Sequence, residues 1–570
     1  MKTLRQYSTL ALAIAATAIW AGCSSHATDG ADSNEEAQTA GVPVCDVFAE
    51  KLGRNLTKDE LTKLNDPVAK LILSGGTCPK SFQEIQAKLR QVDTNNCKDD
   101  PAAGPAGTQT RFVSNRSQLT GQGDDYRAVV TRACDGRNEN ELFMSLFGIQ
   151  ADATALPGDL ELIAQDKTKG VYDFYAHEDN KWKFFGNSED LVGDGYNCSA
   201  DGACVPKAAA KTRCASCHVG GGLVMKELNS PWTNWSDTGP TPGTDQLFKT
   251  HVKLLGGETN GDALEGLVTG GNRDVWVPHR VEFLKGKGTA ELLRPLFCTT
   301  DINLQAGNGS ANQDFFLDPE WSSVQVDAQT SINPSLRVTF DNTIYQAQLV
   351  TNGQFIADGE GRTCEPLNPA SCSPLKKGGK GLVDTVSGFM YPERSAIDAL
   401  YVRQLVTNKV IDEDFLHDVL AIDFTRPIFS PTRCGLLQFA PTLTAANMTP
   451  DGIRNAFKTS LAGKPGAAAD LAKSLADTKD LKSHGDAVDT FAKACTARST
   501  ADAKGFTADV LAVASHLRSA MRRTKANLSN NPSKIQPGQG VIEFAETLPV
   551  DGLKESALAL DPVTCARTLK

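Results

Sequence analysis

Cys214-Ala215-Ser216-Cys217-His218 is the stretch on which the reading of this 570-residue chain turns. Two thiols three positions apart can each form a thioether with one of the two vinyl groups on a porphyrin edge. The histidine that follows at once is then carried over the iron. Cysteine and histidine are scarce, 15 and 8 of 570 residues, so their concentration in one pentapeptide points to chemistry rather than composition. A redox Cys-x-x-Cys pair and half of a zinc site are the competing readings. Zinc would need a second ligand pair, and the sequence contains no other Cys-x-x-Cys and no His-x-x-x-His run. A thioredoxin-type pair opens a helix after a strand in a small reduced domain, which fits this setting poorly. One covalently bound haem c is therefore expected, attached through Cys214 and Cys217, with His218 as an axial iron ligand.

The amino terminus predicts the compartment. Lys2 and Arg5 precede an apolar core from Leu10 to Ile19, and Ala21-Gly22 forms a small-residue cleavage site, so residues 1–22 read as a signal peptide. Small residues ending in Cys23 resemble the lipobox of bacterial lipoproteins, in which the cysteine is acylated, although Trp20 stands where leucine is usual. The alternative is an ordinary secretory signal with an incidental cysteine. The apolar core is shorter than the ~20 residues a membrane span requires, and no later segment reaches that length. Residues 23–42 are polar and acidic and cannot bury enough surface to order themselves, so they read as a lipidated tether. The expected location is the cell envelope, exported and lipid-anchored, with membrane contact only through that lipid.

Setting aside Cys23, Cys214 and Cys217 leaves 12 cysteines, an even number that suits disulfides in an oxidising compartment. Connectivity stays open; Cys198–Cys204 and Cys364–Cys372 are candidate local loops. The formal charge of −10 argues against nucleic acid as a partner. It favours a basic redox protein.

The predicted fold class is mixed α+β and multi-domain: a helical N-terminal unit, a strand-rich segment leading into a haem-binding segment, and a largely helical C-terminal half. In residues 43–110, a small helical unit, Ser81 and Glu84 have capping-box spacing and Ile85 and Leu89 recur on one face. Residues 111–190 turn to strands: Leu160, Leu162 and Ala164 alternate, and Glu178-Asp179-Asn180 reads as a hairpin turn between Val171–Tyr175 and Lys181–Gly186. Residues 191–300 form the haem-binding region. Residues 301–382 contain a strand-like stretch over 335–350, where Leu336, Val338 and Phe340 alternate before the turn-forming Asp341-Asn342, and a linker. Residues 383–570 are helical, with Ser395 and Asp398 as candidate caps for a helix burying Ile397, Leu400, Tyr401 and Leu405.

Around the motif, Gly220-Gly221-Gly222 allows a tight turn or a close approach of backbone to the ring. Pro231 is spaced to offer its carbonyl to the histidine Nδ1–H, or merely to end a loop. Trp232 and Trp235 suit either a porphyrin cover or core packing. The sixth iron ligand is left among Met225, His279 and His251, with His177, Met390 and Met448 as the wider field. Met225 lies only seven residues beyond His218 and would need a taut loop. An open or water-ligated iron is a further alternative.

The motif resembles that of c-type cytochromes, a likeness that covers Cys214 to His218 and extends weakly to Trp235. It implies thioether attachment, iron ligation by His218 and single-electron transfer between redox partners. The aromatic strand Trp182, Phe184, Phe185 ahead of the motif, with tryptophan after it, faintly resembles the cytochrome P460 family. That likeness implies instead an enzyme oxidising a small nitrogen species with a lysine cross-linked to the porphyrin, for which Lys167, Lys169, Lys181 and Lys183 are candidates. A haem-bearing sensor or structural surface lipoprotein is a third class. Electron transfer is preferred to catalysis because no nucleophile elbow, phosphate loop or zincin helix occurs in the sequence and no catalytic carboxylate pair stands out.

Overall fold

The computed structural model describes residues 45–74, 76–91, 108–114, 126–132, 141–147, 156, 159–193, 196–198, 204–206, 218, 220–223, 258–260, 262–298, 302–306, 313–316, 337–340, 389–394, 396–425, 430–476, 481–506, 508–509 and 558–569. All of them belong to one compact unit, Ala40–Lys570. The predicted signal peptide, Cys23 and the tether lie outside the described residues. So do Cys214, Cys217, Met225, Pro231, Trp232, Trp235, His251 and the Cys364–Cys372 loop.

The fold is mixed α+β, as the patterning predicts. Its largest element is a nine-stranded sheet. Six strands form an antiparallel meander: β3 (Thr108–Ser114), β4 (Tyr126–Arg132), β5 (Leu142–Phe147), β6 (Asp159–Asp166), β7 (Val171–Glu178) and β8 (Lys181–Asn187). The hairpin between β7 and β8 turns on Asp179 and Asn180, both at positive φ (52° and 60°), the left-handed pair that suits a two-residue turn between twisted strands. β1 (Val47–Ala49) adds in parallel beside β8 and is covered by the short β2 (Arg54–Asn55). At the far edge a strand from the segment 191–300, Glu258–Asn260, pairs in parallel with β3. Cys198 and Cys204 stand opposite each other in a separate two-strand ribbon, Tyr196–Cys198 with Cys204–Pro206.

β7 is buried along its whole length because both faces of the sheet are covered there. On one face Leu160, Leu162, Ala164, Tyr175 and Trp182 meet α1 (Lys58–Lys63), a widened helical turn Val68–Leu73 and α2 (Phe82–Gln91). The predicted alternation on β6 is what supplies this face. Leu61, Val68, Ile72, Phe82, Ile85 and Leu89 are each at or near complete burial in that core, worth about 1.5–3 kcal/mol per side chain. The N-terminal helices thus share one core with the sheet, and their own segment contributes two of its strands. Thr57 and Glu60 close a full capping box on α1. At α2 the Ser81 Oγ accepts from the Glu84 N–H, but the Glu84 carboxylate turns to the Lys80 N–H instead of closing the box.

The second core is helical. Three helices of the segment 191–300, α4 (Asp262–Gly271), α5 (Val277–Lys285) and α6 (Thr289–Phe297), precede the C-terminal helices Ala396–Thr407, Glu413–Ala421, Pro450–Leu461, Ala467–Ala476 and Leu481–Ala501. α5 and α6 bury Val281, Leu292, Leu296 and Phe297 among them. Phe297 stacks on Phe457 at 5.6 Å. Ile397, Tyr401 and Leu405 are buried as predicted; Ser395, the other member of the predicted cap, lies outside the described residues. Asp398 is fully buried 3.6 Å from Arg280 of α5, a facing guanidinium that stabilises a carboxylate in that interior. Within the predicted strand-like stretch 335–350 the described residues Arg337–Phe340 form a strand paired with Gln313–Phe316. Three disulfides join described residues, Cys45–Cys78, Cys298–Cys434 and Cys495–Cys565, all linking distant segments rather than local loops. Among the described residues no helix is long and apolar enough to cross a membrane.

Under the sheet, Asp66 and Asp173 form a buried acid pair. Asp66 accepts from the Tyr175 hydroxyl at 2.6 Å and from the Val68 and Ala69 N–H groups. Burial raises both carboxyls above their ordinary range, and in Asp173 the charge of Asp66 raises it further; Asp166 adds to this and Lys169 opposes it. Two buried carboxyls in such a setting oppose each other's ionisation. A carboxyl whose pKa is higher in the folded protein than in the unfolded chain binds more protons when folded. Its contribution to stability is full below the ordinary carboxylate range and is lost as pH rises toward the folded value. Asp173→Asn, a near-isostere that does not titrate, should therefore raise the thermal midpoint more at pH 8 than at pH 5. Equal midpoints for mutant and wild type at both pH values would refute the raised Asp173 carboxyl.

Candidate functional site at His218

The other face of β7 carries Tyr172 and Phe174, since Tyr175 and the residues opposite it face α1 and α2. The Phe174 ring lies 5.0 Å from the imidazole of His218. The chain then makes a tight turn in which the Gly221 N–H donates to the His218 carbonyl at 2.8 Å, with Gly221 at φ +73°. That turn brings the Gly222 carbonyl back to the ring, 2.8 Å from Nδ1. Only a protonated Nδ1 can donate to a carbonyl, so this bond fixes the tautomer with its lone pair on Nε2. Pro231, expected for this role, lies outside the described residues; Gly222 fills it, because the glycine turn is short enough to fold onto its own histidine.

A widened helical turn, Asn272–Trp276 between α4 and α5, holds the glycine run from the other side. The Trp276 indole donates to the Gly220 carbonyl at 2.6 Å. Asn272 makes a two-point contact with Leu223: its amide nitrogen donates to the Leu223 carbonyl at 2.7 Å, and its oxygen accepts from the Leu223 N–H at 2.9 Å. The fit leaves no room for side chains. A Cβ on Gly222 would stand 2.3 Å from the Asn272 oxygen, and one on Gly221 2.7 Å from the Ser188 carbonyl of α3 (Ser188–Val192). Widened turns of this kind recur at functional sites.

Charged groups surround this core. Arg280, buried against Asp398, also lies over the Tyr401 ring at 4.6 Å and comes close to Gly220. Lys183 and Glu178 pair at 3.0 Å on the Phe174 face of the sheet. Lys167 and Lys169 pair instead with Glu141 and Asp166 near the turn before β7. His279 sits on α5 with Nε2 2.6 Å from Glu189 and its ring 5.9 Å from Trp276. His177 packs on Trp182 on the opposite face of the sheet from Phe174, and Met448 is buried in the helical core. Among the described residues no group of three or more His, Cys, Asp or Glu is placed to hold a metal ion.

Of the residues expected to hold a haem, His218 is the one described, and its Nδ1 is anchored by the Gly222 carbonyl, the kind of bond that orients a metal-binding imidazole. On the Phe174 face of the sheet the Tyr172 hydroxyl is fully buried and meets no hydrogen-bond partner. Phe174, Tyr172, Asn272 and Trp276 were not among the site residues expected from sequence. The first two were hidden in a strand pattern and the others in a helical one, and only Gly270-Gly271 before Asn272 hinted at an irregular turn. No known protein family, curated protein or solved structure matches this chain.

Asn272→Leu should destabilise the protein by about 1–3 kcal/mol for each Leu223 backbone group left unpaired. Chemical denaturation followed by tryptophan fluorescence reads this; a change below 0.5 kcal/mol (roughly the scatter of neutral surface substitutions) would contradict the two-point contact.

Proposed function

We propose that this protein is an envelope-tethered monohaem c-type cytochrome that passes single electrons between redox partners. The observation that carries the reading is the Cys214–His218 run together with the anchored Nδ1 of His218 in a buried glycine turn. Cys214 and Cys217 would hold the porphyrin, and His218 would bind iron through Nε2. When bound, the haem supplies a one-electron couple whose potential depends on axial ligand, hydrogen bonding and burial. The chain's own part is to hold the histidine ring still and to exclude water: Gly222 orients the imidazole, and Trp276 and Asn272 fix the backbone beside it. A site that moves little between two charge states suits a carrier. The acidic chain favours a basic redox protein as partner, and Cys23 would supply the lipid tether.

The enzyme reading, resembling cytochrome P460, draws on one observation. Of the four candidate lysines, Lys183 is half-buried on the sheet face that carries Phe174. That reading needs an open iron position and a shifted Soret band.

Material matured outside the cytoplasm should give a pyridine haemochrome of one haem per chain. Its mass should exceed that of the polypeptide by one haem, and both signals should vanish in a Cys214→Ser, Cys217→Ser double variant. Sharp low-spin ferrous bands without carbon monoxide binding are expected for the carrier. Colourless wild-type protein, or pigment extracted by acidified acetone, would overturn the assignment.

A further inference from the structure

We propose that the hairpin of β1 and β2 is a membrane-docking tip, which seats Phe48 and Leu52 at the headgroup–acyl boundary of the bilayer that holds the lipid anchor. The inference rests on the Cys23 tether proposed above and adds to it the face of the folded body that meets the membrane. It does not depend on the haem.

The strand pattern puts the apolar groups outside. Val47 and Ala49 are buried, so Phe48 between them points to the opposite face of the sheet, where it is 36% exposed. The chain then turns: the Leu52 and Gly53 N–H groups both donate to the Ala49 carbonyl, at 3.1 and 2.9 Å, with Gly53 at φ +66°. Leu52, on that turn, is 50% exposed. Among the described residues three large apolar side chains are this open, and the third, Val563, belongs to the far end of the chain. Apolar groups exposed singly are ordinary, but two on one short hairpin mark a contact surface.

The contact suits lipid better than protein. Two side chains cover far less area than a stable protein interface needs, whereas insertion at a bilayer surface requires no matching pocket. From Lys51 to Lys58 the chain carries three cations, Lys51, Arg54 and Lys58, and no acid, although its net charge is −10. Lys51 pairs with Asp190 at 2.6 Å and Arg54 with Glu60 at 2.7 Å, yet both cations stay half-exposed. Such pairs hold weakly, so these side chains can share a lipid phosphate while their stems lie along the apolar layer. Asp46 and Glu50 precede the turn, so charge alone would not keep the hairpin on a membrane.

The anchor supplies what charge does not. Cys45, three residues before Phe48, is fixed by its disulfide to Cys78 and by its N–H bond to the Leu73 carbonyl at 3.1 Å. Cys23 to Val44 are 22 residues, a length that spans at most about 75 Å. A lipid at one end therefore keeps the hairpin within reach of the bilayer, and a contact too weak in free solution becomes an intramolecular one.

The test uses the full-length protein, its acylation checked by mass, in vesicles of phosphatidylethanolamine and phosphatidylglycerol with or without bromine on the acyl chains. Leu52→Trp places an indole on the turn at an exposed position. Its emission, taken as the difference from wild type, should shift to the blue and be largely lost in the brominated vesicles. In wild-type protein, amide deuterium uptake over residues 48–54 should be slower on vesicles than in unacylated Cys23→Ser protein free in solution. Acylated protein whose added indole ignores the bromine, or whose turn exchanges as fast as in solution, would overturn the docking tip and leave the tether in place. Protein that carries no lipid would remove both. Self-association of the Cys23→Ser form that Phe48→Ser abolishes would assign the surface to a second copy and overturn the proposal.

Discussion

A run of backbone without side chains, wedged between a sheet and a helix, is the constraint on which the site depends. From Gly220 to Leu223 the chain is buried, and polar groups that it takes out of water are met by a named partner. Trp276 serves the Gly220 carbonyl, His218 the Gly222 carbonyl, and Asn272 both groups of Leu223. Burying backbone is costly unless each group is paired, and pairing at this distance requires that positions 221 and 222 carry no Cβ. The orientation of the His218 ring follows from these contacts rather than from the histidine itself.

The same run brings the two cores together. Phe174 and Ser188 belong to the sheet and the helix that follows it. Trp276 and Arg280 lead into helices whose apolar faces join the C-terminal core, and Ile397 on the first of those C-terminal helices stands where a Cβ on Gly220 or Gly222 would press against it. Arg280 and Asp398 are buried as a facing pair at this junction. Such a pair adds little net stability over apolar packing, but removing one member strands a charge, so it discriminates between the correct docking of α5 on its neighbour and a displaced one.

How much of this the sequence discloses depends on the range of the interaction. Local patterns were readable: the alternation of Leu160, Leu162 and Ala164, the Asp179-Asn180 turn and the stripe of Ile397, Tyr401 and Leu405 all have their causes within a few residues. The mixed α+β class followed from them. Asp398 has the spacing of a cap, and nothing in that spacing announces that Arg280 arrives beside it from a distant helix. The glycine triplet announced a close approach without saying to what. Asn272 and Trp276 look like ordinary members of a helix, and their selection depends on a widened turn that no periodicity reveals. The disulfides behave likewise, since Cys298 finds Cys434 through helix packing and not through any local signal.

The two edges of the large sheet have a consequence for how the molecule is made. The meander from β3 to β8 can assemble by successive hairpins between neighbours in sequence. Its flanks cannot: β1 must join β8, and Glu258–Asn260 must join β3, each across well over a hundred residues. Loop closures of that span are entropically slow, and a high contact order lowers the folding rate. The central meander is thus expected to form early, with both outer strands annealing late, the second only after the chain has been synthesised past residue 260.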